Sequence, residues 1–352
     1  MSFKLASSPH TRRANKTANI MRWVALACIP GVITQWYCFG IGVLIQIFIC
    51  IISAIVAEAI CCQLRGRPVK QVINDHSALL TGLLLGICLP PLAPWWIGVI
   101  GSVFAITLVK QAYGGLGQNL FNPAMAGYVI LLISFPVSMT GWIPPTDLIT
   151  IPLSFSDYVS VVFSGYTAQG YSLEQIRSGI DGVTMATPLE SVRNGLNQGL
   201  TYQEIIKQDV FSNGLGQGWF AVNIAFLLGG VVLLKQKIIK WQIPLSFLIS
   251  LAIFSLISQA ISPDGTGSML LHMTSGATCF AAFFILTDPV SASTTDKGRL
   301  IFGALCGFLV FVIRQFGGYP DAVAFAVLLA NMAVPLIDYY TQPRTFGHGS
   351  RS

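Results

Sequence analysis

A short segment of small and hydroxyl-bearing residues is the first place in this chain where chemistry is expected. Residues 181–188 read Asp-Gly-Val-Thr-Met-Ala-Thr-Pro. Gly182 permits a sharp turn, and Pro188 keeps the preceding Thr187 extended. The turn therefore presents the Thr187 hydroxyl without bulk around it. Because a threonine hydroxyl alone is a poor nucleophile, this pattern predicts an acceptor to which another enzyme attaches a group.

The same residues also fit an ordinary helix start. Thr187 would be the N-cap, Pro188 the first helical residue and Glu190 the third. On composition alone, a solvated turn that leads into a helix is the simpler interpretation.

Composition indicates what kind of protein must position this turn. Of the 352 residues, 53% are hydrophobic and only 10% are charged. Apolar runs of roughly 17 to 25 residues recur, and such a run crosses about 30 Å of hydrocarbon as a helix. The period-two patterning of an outer-membrane barrel does not appear. The sequence predicts an all-α polytopic membrane protein in a lipid bilayer.

We expect about ten transmembrane helices. They lie near residues 21–37, 40–62, 77–91, 95–112, 123–137, 216–234, 243–261, 268–287, 300–316 and 320–338. Basic residues cluster before the first span, after the second, in two later loops and in the tail, which places both termini in the cytoplasm. This orientation accounts for the basic loops without a nucleic-acid partner. Five spans precede the long polar segment, which therefore faces the periplasm.

These counts divide the chain into two membrane halves around one polar segment. The predicted parts are a cytoplasmic segment 1–20, a five-helix repeat 21–137, a periplasmic segment 138–214, a second five-helix repeat 215–340 and a cytoplasmic tail 341–352. Because each half has five spans, related halves would have opposite orientations. Each half also has a Pro-containing break and a Gly-rich stretch. Such breaks predict helices interrupted where a ligand binds.

The cysteines and histidines offer no site of their own. All eight cysteines lie in or beside predicted spans, and none lies in residues 138–214, which excludes an exported disulfide framework there. No C-x-x-C pair or Cys/His cluster predicts a metal or iron–sulfur site. We interpret the cysteines as small buried hydrophobes.

Two membrane segments carry a resemblance to a known family. Residues 114–123, Gly-Gly-Leu-Gly-Gln-Asn-Leu-Phe-Asn-Pro, and residues 287–292, Thr-Asp-Pro-Val-Ser-Ala, together with the order of spans, resemble the RnfD family, the D-type membrane subunit of the Rnf ion-translocating electron-transport complex. That family is related to the B-type membrane subunit of the sodium-pumping NADH:quinone reductase. The resemblance covers nearly the whole chain. It implies FMN joined through its phosphate to a threonine in a motif D-x-x-[ST]-G-A-[ST], attached outside the cytoplasm by a flavin transferase.

The motif can be placed on this chain residue by residue. Thr187 takes the acceptor position, and Met185 departs from the usual glycine. The other positions of the attachment segment are Asp181, Gly182, Thr184 and Ala186. Residues 275–278, Ser-Gly-Ala-Thr, match the last letters of the motif better, yet Thr278 runs into an apolar span. A soluble transferase could not reach it, so the resemblance implies attachment at Thr187.

The resemblance also implies a function. FMN accepts two electrons and releases them singly, so the chain would relay electrons and couple ferredoxin- or NADH-type carriers to ion movement in the bacterial inner membrane. Its partners would be the other membrane and peripheral subunits of the complex. The chain alone is not expected to oxidise NADH, because Gly114–Gly117 lies between spans and not after a strand. A second, noncovalent flavin would occupy the paired breaks.

Ionisable residues near the spans are candidates for an ion route, and they are Glu58, Asp75, Lys110, Asp288, Arg314 and Asp321. Asp288 and Asp321, beside the breaks, are the favoured pair, although residues at span ends can also be simple anchors. Two other classes of function remain open. A channel or transporter for a small solute uses the same inverted repeats, and a structural scaffold would need no flavin.

Overall fold

The described part of the chain is mainly helical and has one small two-stranded sheet. The computed structural model describes residues 17–149, 152–178, 187–212, 214–319 and 321–342. Within these residues, five helices are long and apolar enough to cross a membrane, and four further apolar helices are shorter. The five are Thr17–Phe39, Gly42–Leu64, Gln242–Ile261, Asp296–Phe316 and Val323–Thr341. A helical membrane protein, as predicted, is confirmed at this level.

The first half consists mainly of helices that meet at short turns. They are α1 Thr17–Ala27, α2 Ile29–Phe39, α3 Gly42–Leu64, α4 Val69–Ile73, α5 Ser77–Cys88, α6 Trp95–Phe104 with a π-helical continuation Ala105–Gln111, and α7 Pro123–Ser134. The N-cap Asn122 begins α7: its Oδ1 accepts from the N–H groups of Ala124 and Met125 at 3.0 and 3.3 Å. Pro123 is the first helical residue, where its missing N–H costs nothing.

The polar segment between the halves folds into short helices. They are α8 Pro136–Met139, a 3₁₀ turn Thr146–Leu148, α9 Phe155–Ser164, α10 Leu173–Ser178, α11 Pro188–Asn197 and α12 Tyr202–Ile205, followed by antiparallel strands β1 Phe211–Ser212 and β2 Leu215–Gly216. Thr201 and Glu204 form a reciprocal cap on α12. Hydrogen bonds from the Thr201 amide and hydroxyl hold the pKa of the Glu204 carboxyl below its ordinary value.

The second half again consists of helices, one of them broken. They are α13 Trp219–Lys235, α14 Gln242–Ile261, α15 Met269–Thr274, α16 Thr278–Phe280 with a π-helical continuation Ala281–Ile285, α17 Asp296–Phe316 and α18 Val323–Thr341. Helices end at both predicted Pro-containing breaks, since α5 stops before Pro90 and the π-helix after α16 stops before Pro289.

The break between α15 and α16 was not predicted, because residues 268–287 read as one apolar span. Ser275 is extended, and Gly276 has a φ of +61°. A Cβ on Gly276 would lie 2.8 Å from Asp321 Oδ2, so the small residue is required here. The buried Asn223 on α13 stabilises the break: its Nδ2 donates to the carbonyls of Thr274 and Gly276, and its Oδ1 accepts from the N–H of Cys279.

The two halves pack against each other through one shared core. Helix α13 lies on α2, and α7 lies on α18, so each half contributes to both contacts. Phe226 on α13 packs on Phe280 and Phe284, with ring centroids 4.7 and 5.8 Å apart. Within the halves, α3 packs on α5 and α6, and α14 packs on α17. Any site at the α2–α13 or α7–α18 junction is therefore formed by both halves.

Candidate functional site

Thr187 is the N-cap of α11. Its backbone is extended, with φ −61° and ψ 154°, and its Oγ1 accepts from the N–H of Glu190 at 3.4 Å. Pro188 follows as the first helical residue. The helix start predicted from the sequence is confirmed. In this cap hydrogen bond Thr187 Oγ1 is the acceptor.

Helix α11 holds Thr187 against the membrane helices. Its apolar face buries Leu189 and Val192 in a cluster with Ile205 of α12 and Leu271 of α15. A Cβ on Gly216 of β2 would lie 2.4 Å from the Pro188 ring, so these elements are in close contact. The position of Thr187 is thus determined by packing on the second half.

A large cleft, which we call the first cleft, opens beside Thr187. The space between its lining residues, including the part that is open to solvent, is about 980 Å³. Most of its wall is apolar, and both halves contribute. Its aromatic residues are Tyr128, Trp142, Trp219, Phe226 and Phe280. Its polar residues are Gln35, Thr140, Thr187, Glu190 and Asp321.

Three aromatic rings support one wall of the first cleft. Trp142 and Trp219 line it, and their ring centroids are 5.0 Å apart. Phe39 packs behind both, 5.9 Å from Trp142 and 5.0 Å from Trp219. Tilted and edge-to-face contacts of this kind fix ring orientation. The wall is a rigid aromatic surface suited to a flat ligand.

A second cleft of about 790 Å³ lies nearer the other end of the same helices. Its α5 residues are Ser77, Leu80, Thr81 and Leu84, whereas the first cleft takes Ile87 and Cys88 from the same helix. On α7 the second cleft takes Pro123 and Ala124, and the first takes Met125, Tyr128 and Leu132. On α5, Leu84 and Ile87 are three residues apart, about 4.5 Å along the helix, and on α7 Ala124 and Met125 are consecutive, so only a thin wall of side chains separates the two clefts.

A buried ion pair borders the second cleft. Glu58 on α3 and Lys110 at the end of the π-helix are in direct contact, and their side chains are 0% and 2% exposed. The Lys110 ammonium also donates to Ser77 Oγ at 2.5 Å, and Gln111 Nε2 donates to Glu58 at 3.0 Å. A buried charge needs such partners, and these contacts tie α3, α5 and the π-helix together.

A second basic residue, Arg314, is buried in the other half. Its guanidinium donates to the His272 carbonyl at 2.8 Å, to Thr278 Oγ1 at 3.0 Å and to Asp321 at 3.1 Å. Asp321 also accepts from the N–H of Ala277 at 2.9 Å. These contacts fix the break between α15 and α16 at the edge of the first cleft.

The residues predicted for an ion route lie in different places. Asp288 lines the second cleft and accepts from the Ser291 hydroxyl at 2.6 Å, whereas Asp321 lines the first cleft. The structure does not bring them together. Glu58 and Lys110, also candidates from the sequence, are paired with each other.

The remaining sequence predictions for the site concern Thr278 and the attachment segment before Thr187. Thr278 is 0% exposed and donates to the backbone, so it is inaccessible, as expected. The predicted attachment residues Asp181, Gly182, Thr184 and Ala186 lie outside the described residues. No group of three or more His, Cys, Asp or Glu side chains that could hold a metal occurs in the described part of the chain.

Sequence reasoning missed the walls of the first cleft. Gln35, Tyr128 and Trp142 read as residues of apolar spans and of a loop, and only the packing of two distant segments brings them beside Thr187. The amide side chain of Gln35 within an apolar run was the available signal, because a polar residue in a span usually has a partner.

Comparison with known proteins supplies the family. Residues 4–347 match the model of the NQR2, RnfD, RnfE family. The chain is 56% identical over 348 residues to the D-type subunit of the ion-translocating oxidoreductase complex of Aliivibrio salmonicida, 55% to that of Colwellia psychrerythraea and 55% to that of Cronobacter sakazakii. In each case 99% of this chain and at least 99% of the relative are covered. The chain therefore belongs to the NQR2, RnfD, RnfE family.

Proposed function

We propose that this chain is the D-type membrane subunit of an ion-translocating oxidoreductase complex, and that it relays electrons through FMN bound covalently at Thr187. One observation carries the proposal most: the Thr187 hydroxyl stands at the edge of an aromatic cleft built by both halves. The names of the relatives, and their alignment with nearly the whole chain, support the part of the proposal that makes this chain a membrane subunit of such a complex.

The residues beside the first cleft fit such a cofactor. Thr187 Oγ1 would become the phosphoester oxygen, and the positive end of the α11 dipole would favour the phosphate. The aromatic wall formed by Trp142 and Trp219 suits a flat ring. FMN supplies one- and two-electron transfer, and the protein supplies its position and electrostatic surroundings. Asp181, Gly182, Thr184 and Ala186 would be the segment that a flavin transferase recognises.

We extend the proposal to ten spans arranged as inverted repeats. The support is a matched pair of buried basic residues at the ends of corresponding helices. Lys110 lies near the end of the π-helix that continues α6, and it contacts Ser77 at the start of α5. Arg314 lies near the end of α17, and it contacts Thr278 at the start of α16. Lys110 borders the second cleft, and the Arg314 partner Asp321 borders the first. Termini in the cytoplasm and Thr187 in the periplasm complete this scheme.

The second cleft is the proposed place for a second, noncovalent flavin. Its polar residues include Thr81, Asn119 and Asn122, which can form hydrogen bonds with a bound ring. Only a thin wall of side chains separates it from the first cleft, so groups bound in the two clefts would be close enough for electron transfer. The electron donors and acceptors would be the other subunits of the complex.

Asp288 and Asp321 remain our proposed ion-route residues. Replacing Asp288 with asparagine is expected to lower electron-coupled ion uptake into vesicles by about tenfold, the effect of losing roughly 1.5 kcal/mol of binding to a carboxylate. Asp296→Asn is the control, because that carboxylate is 64% exposed and pairs with Lys240 at the surface. Unchanged uptake with Asp288→Asn removes this residue from the route.

The most direct test of the function is to purify the chain from cells with and without a flavin transferase. Flavin fluorescence of the denatured chain in a gel is expected only when the transferase is present. Peptide mass spectrometry should then place the FMN adduct on the peptide that contains Thr187. A chain without bound flavin in both preparations would contradict the relay and favour a plain transporter or scaffold.

A further inference from the structure

Two buried glutamines of the first half share an unusual arrangement. Gln35 on α2 is 3% exposed and Gln46 on α3 is 0% exposed. The side-chain amide of Gln35 donates to the carbonyl of Ile87 at 3.0 Å, and that of Gln46 donates to the carbonyl of Ala93. In both, the side-chain Oε1 has no hydrogen-bond donor among the residues that the structure describes.

The two glutamines differ in where they lie. Gln35 lines the first cleft, next to Ile87, which also lines it. Gln46 lines neither cleft, and its Oε1 lies against Gly98 in the contact between α3 and α6, 3.5 Å from where a Cβ of that glycine would be. The unpaired Oε1 of Gln35 thus lies beside the proposed flavin site, whereas the unpaired Oε1 of Gln46 is buried between α3 and α6.

The orientation of the Gln35 amide is determined by its partner. The carbonyl of Ile87 can only accept, so Nε2 must face it and Oε1 must be the free atom. An unpaired buried acceptor is destabilising because it has lost its hydrogen bonds to water, and little water is available inside a membrane protein to replace them. Most of the wall of the first cleft near Gln35, including Cys88, Val222 and Phe226, offers no strong hydrogen-bond donor to Oε1. A ligand with an N–H group would satisfy the acceptor.

We propose that Gln35 Oε1 accepts a hydrogen bond from a ring N–H of the flavin in the first cleft, and so positions the ring and raises its reduction potential. This inference rests on the proposed function. The flavin ring gains N–H donors when it takes up two electrons and two protons, and an acceptor that pairs with such a donor favours the reduced form. Gln35 is therefore a positioning residue that acts on the redox equilibrium, and the phosphoester at Thr187 does not depend on it.

The test compares Gln35→Met with Gln46→Met in the full chain produced with a flavin transferase. Methionine keeps the approximate volume of glutamine and removes the side-chain amide. Each variant therefore loses one amide oxygen and one NH₂ group. Flavin fluorescence of the denatured chain is measured first and is expected in both variants. The midpoint potential of the bound flavin is then measured by spectroscopic titration with dithionite.

We expect Gln35→Met to lower the midpoint potential by about 30 mV, which is a tenfold change in the equilibrium constant of a two-electron couple. Gln46→Met should leave it unchanged. If the midpoint potential of Gln35→Met equals that of the unsubstituted chain, the role of Gln35 is overturned and the proposed function stays intact. The same conclusion follows if Gln35→Met and Gln46→Met shift the midpoint potential equally. Absence of flavin from the unsubstituted chain overturns both proposals. Gln35→Asn, whose shorter side chain withdraws the acceptor, repeats the measurement with a second variant.

Discussion

Replacing Thr187 with asparagine is expected to abolish covalent flavin completely while the fold remains intact. Asparagine is as good an N-cap as threonine, so the start of α11 is preserved, but it has no hydroxyl to form a phosphoester. Thr187→Ala should abolish the flavin equally and also cost about 1 kcal/mol through loss of the cap. Flavin fluorescence of the denatured chain and a thermal unfolding curve measure the two effects separately.

Two further variants test whether flavin attachment depends specifically on the Thr187 hydroxyl. Thr187→Ser keeps both the cap and the hydroxyl and should retain flavin. Thr278→Ala removes the buried hydroxyl of the better literal motif match and should retain flavin too, although it removes a partner of Arg314. Fluorescence that persists in Thr187→Asn and disappears in Thr278→Ala would show that the attachment site is wrong.

Breaking the buried pair between Glu58 and Lys110 is expected to cost about 3–5 kcal/mol of stability. Lys110→Met leaves the Glu58 carboxylate 0% exposed and without its cation. The double variant Glu58→Leu/Lys110→Met removes both charges and should recover most of the loss, since a well-packed apolar pair can replace a buried ion pair. Thermal unfolding in detergent measures the difference.

The surface pair between Lys240 and Asp296 provides the control for this measurement. Its side chains are 57% and 64% exposed, so its loss should change stability by no more than about 1 kcal/mol. If Lys110→Met and Asp296→Asn unfold at the same temperature, the buried pair contributes nothing to the stability of the first half. If the double variant is as unstable as the single one, packing and not the unpaired charge is responsible.

Local features of the fold were predictable because they depend on neighbouring residues. Thr187-Pro188 specified a capped helix start, and the structure has one. Asn122-Pro123 begins α7 by the same rule. The long apolar runs predicted membrane helices because their composition alone separates them from a soluble protein. These signals lie within a few residues of the element that they define.

Features that join distant segments were not predictable in the same way. Glu58 and Lys110 are 52 positions apart, and the sequence suggested both as separate ion-route candidates without pairing them. The break at Gly276 depends on contacts with Asp321 and Leu189, which only the fold brings close. The first cleft likewise exists only where the halves meet. In each case the decisive neighbour lies in another helix, and no local pattern records it.

The thin wall between the two clefts has a consequence for how charge could cross this protein. An electron tunnels through a few ångströms of packed side chain, whereas a cation must shed its water and meets a region of low dielectric that repels charge strongly. If both clefts hold flavin, the thin wall bordered by Leu84, Ile87 and Met125 would let electrons pass between the two groups while it excludes a cation. Ions would then have to cross by a separate path.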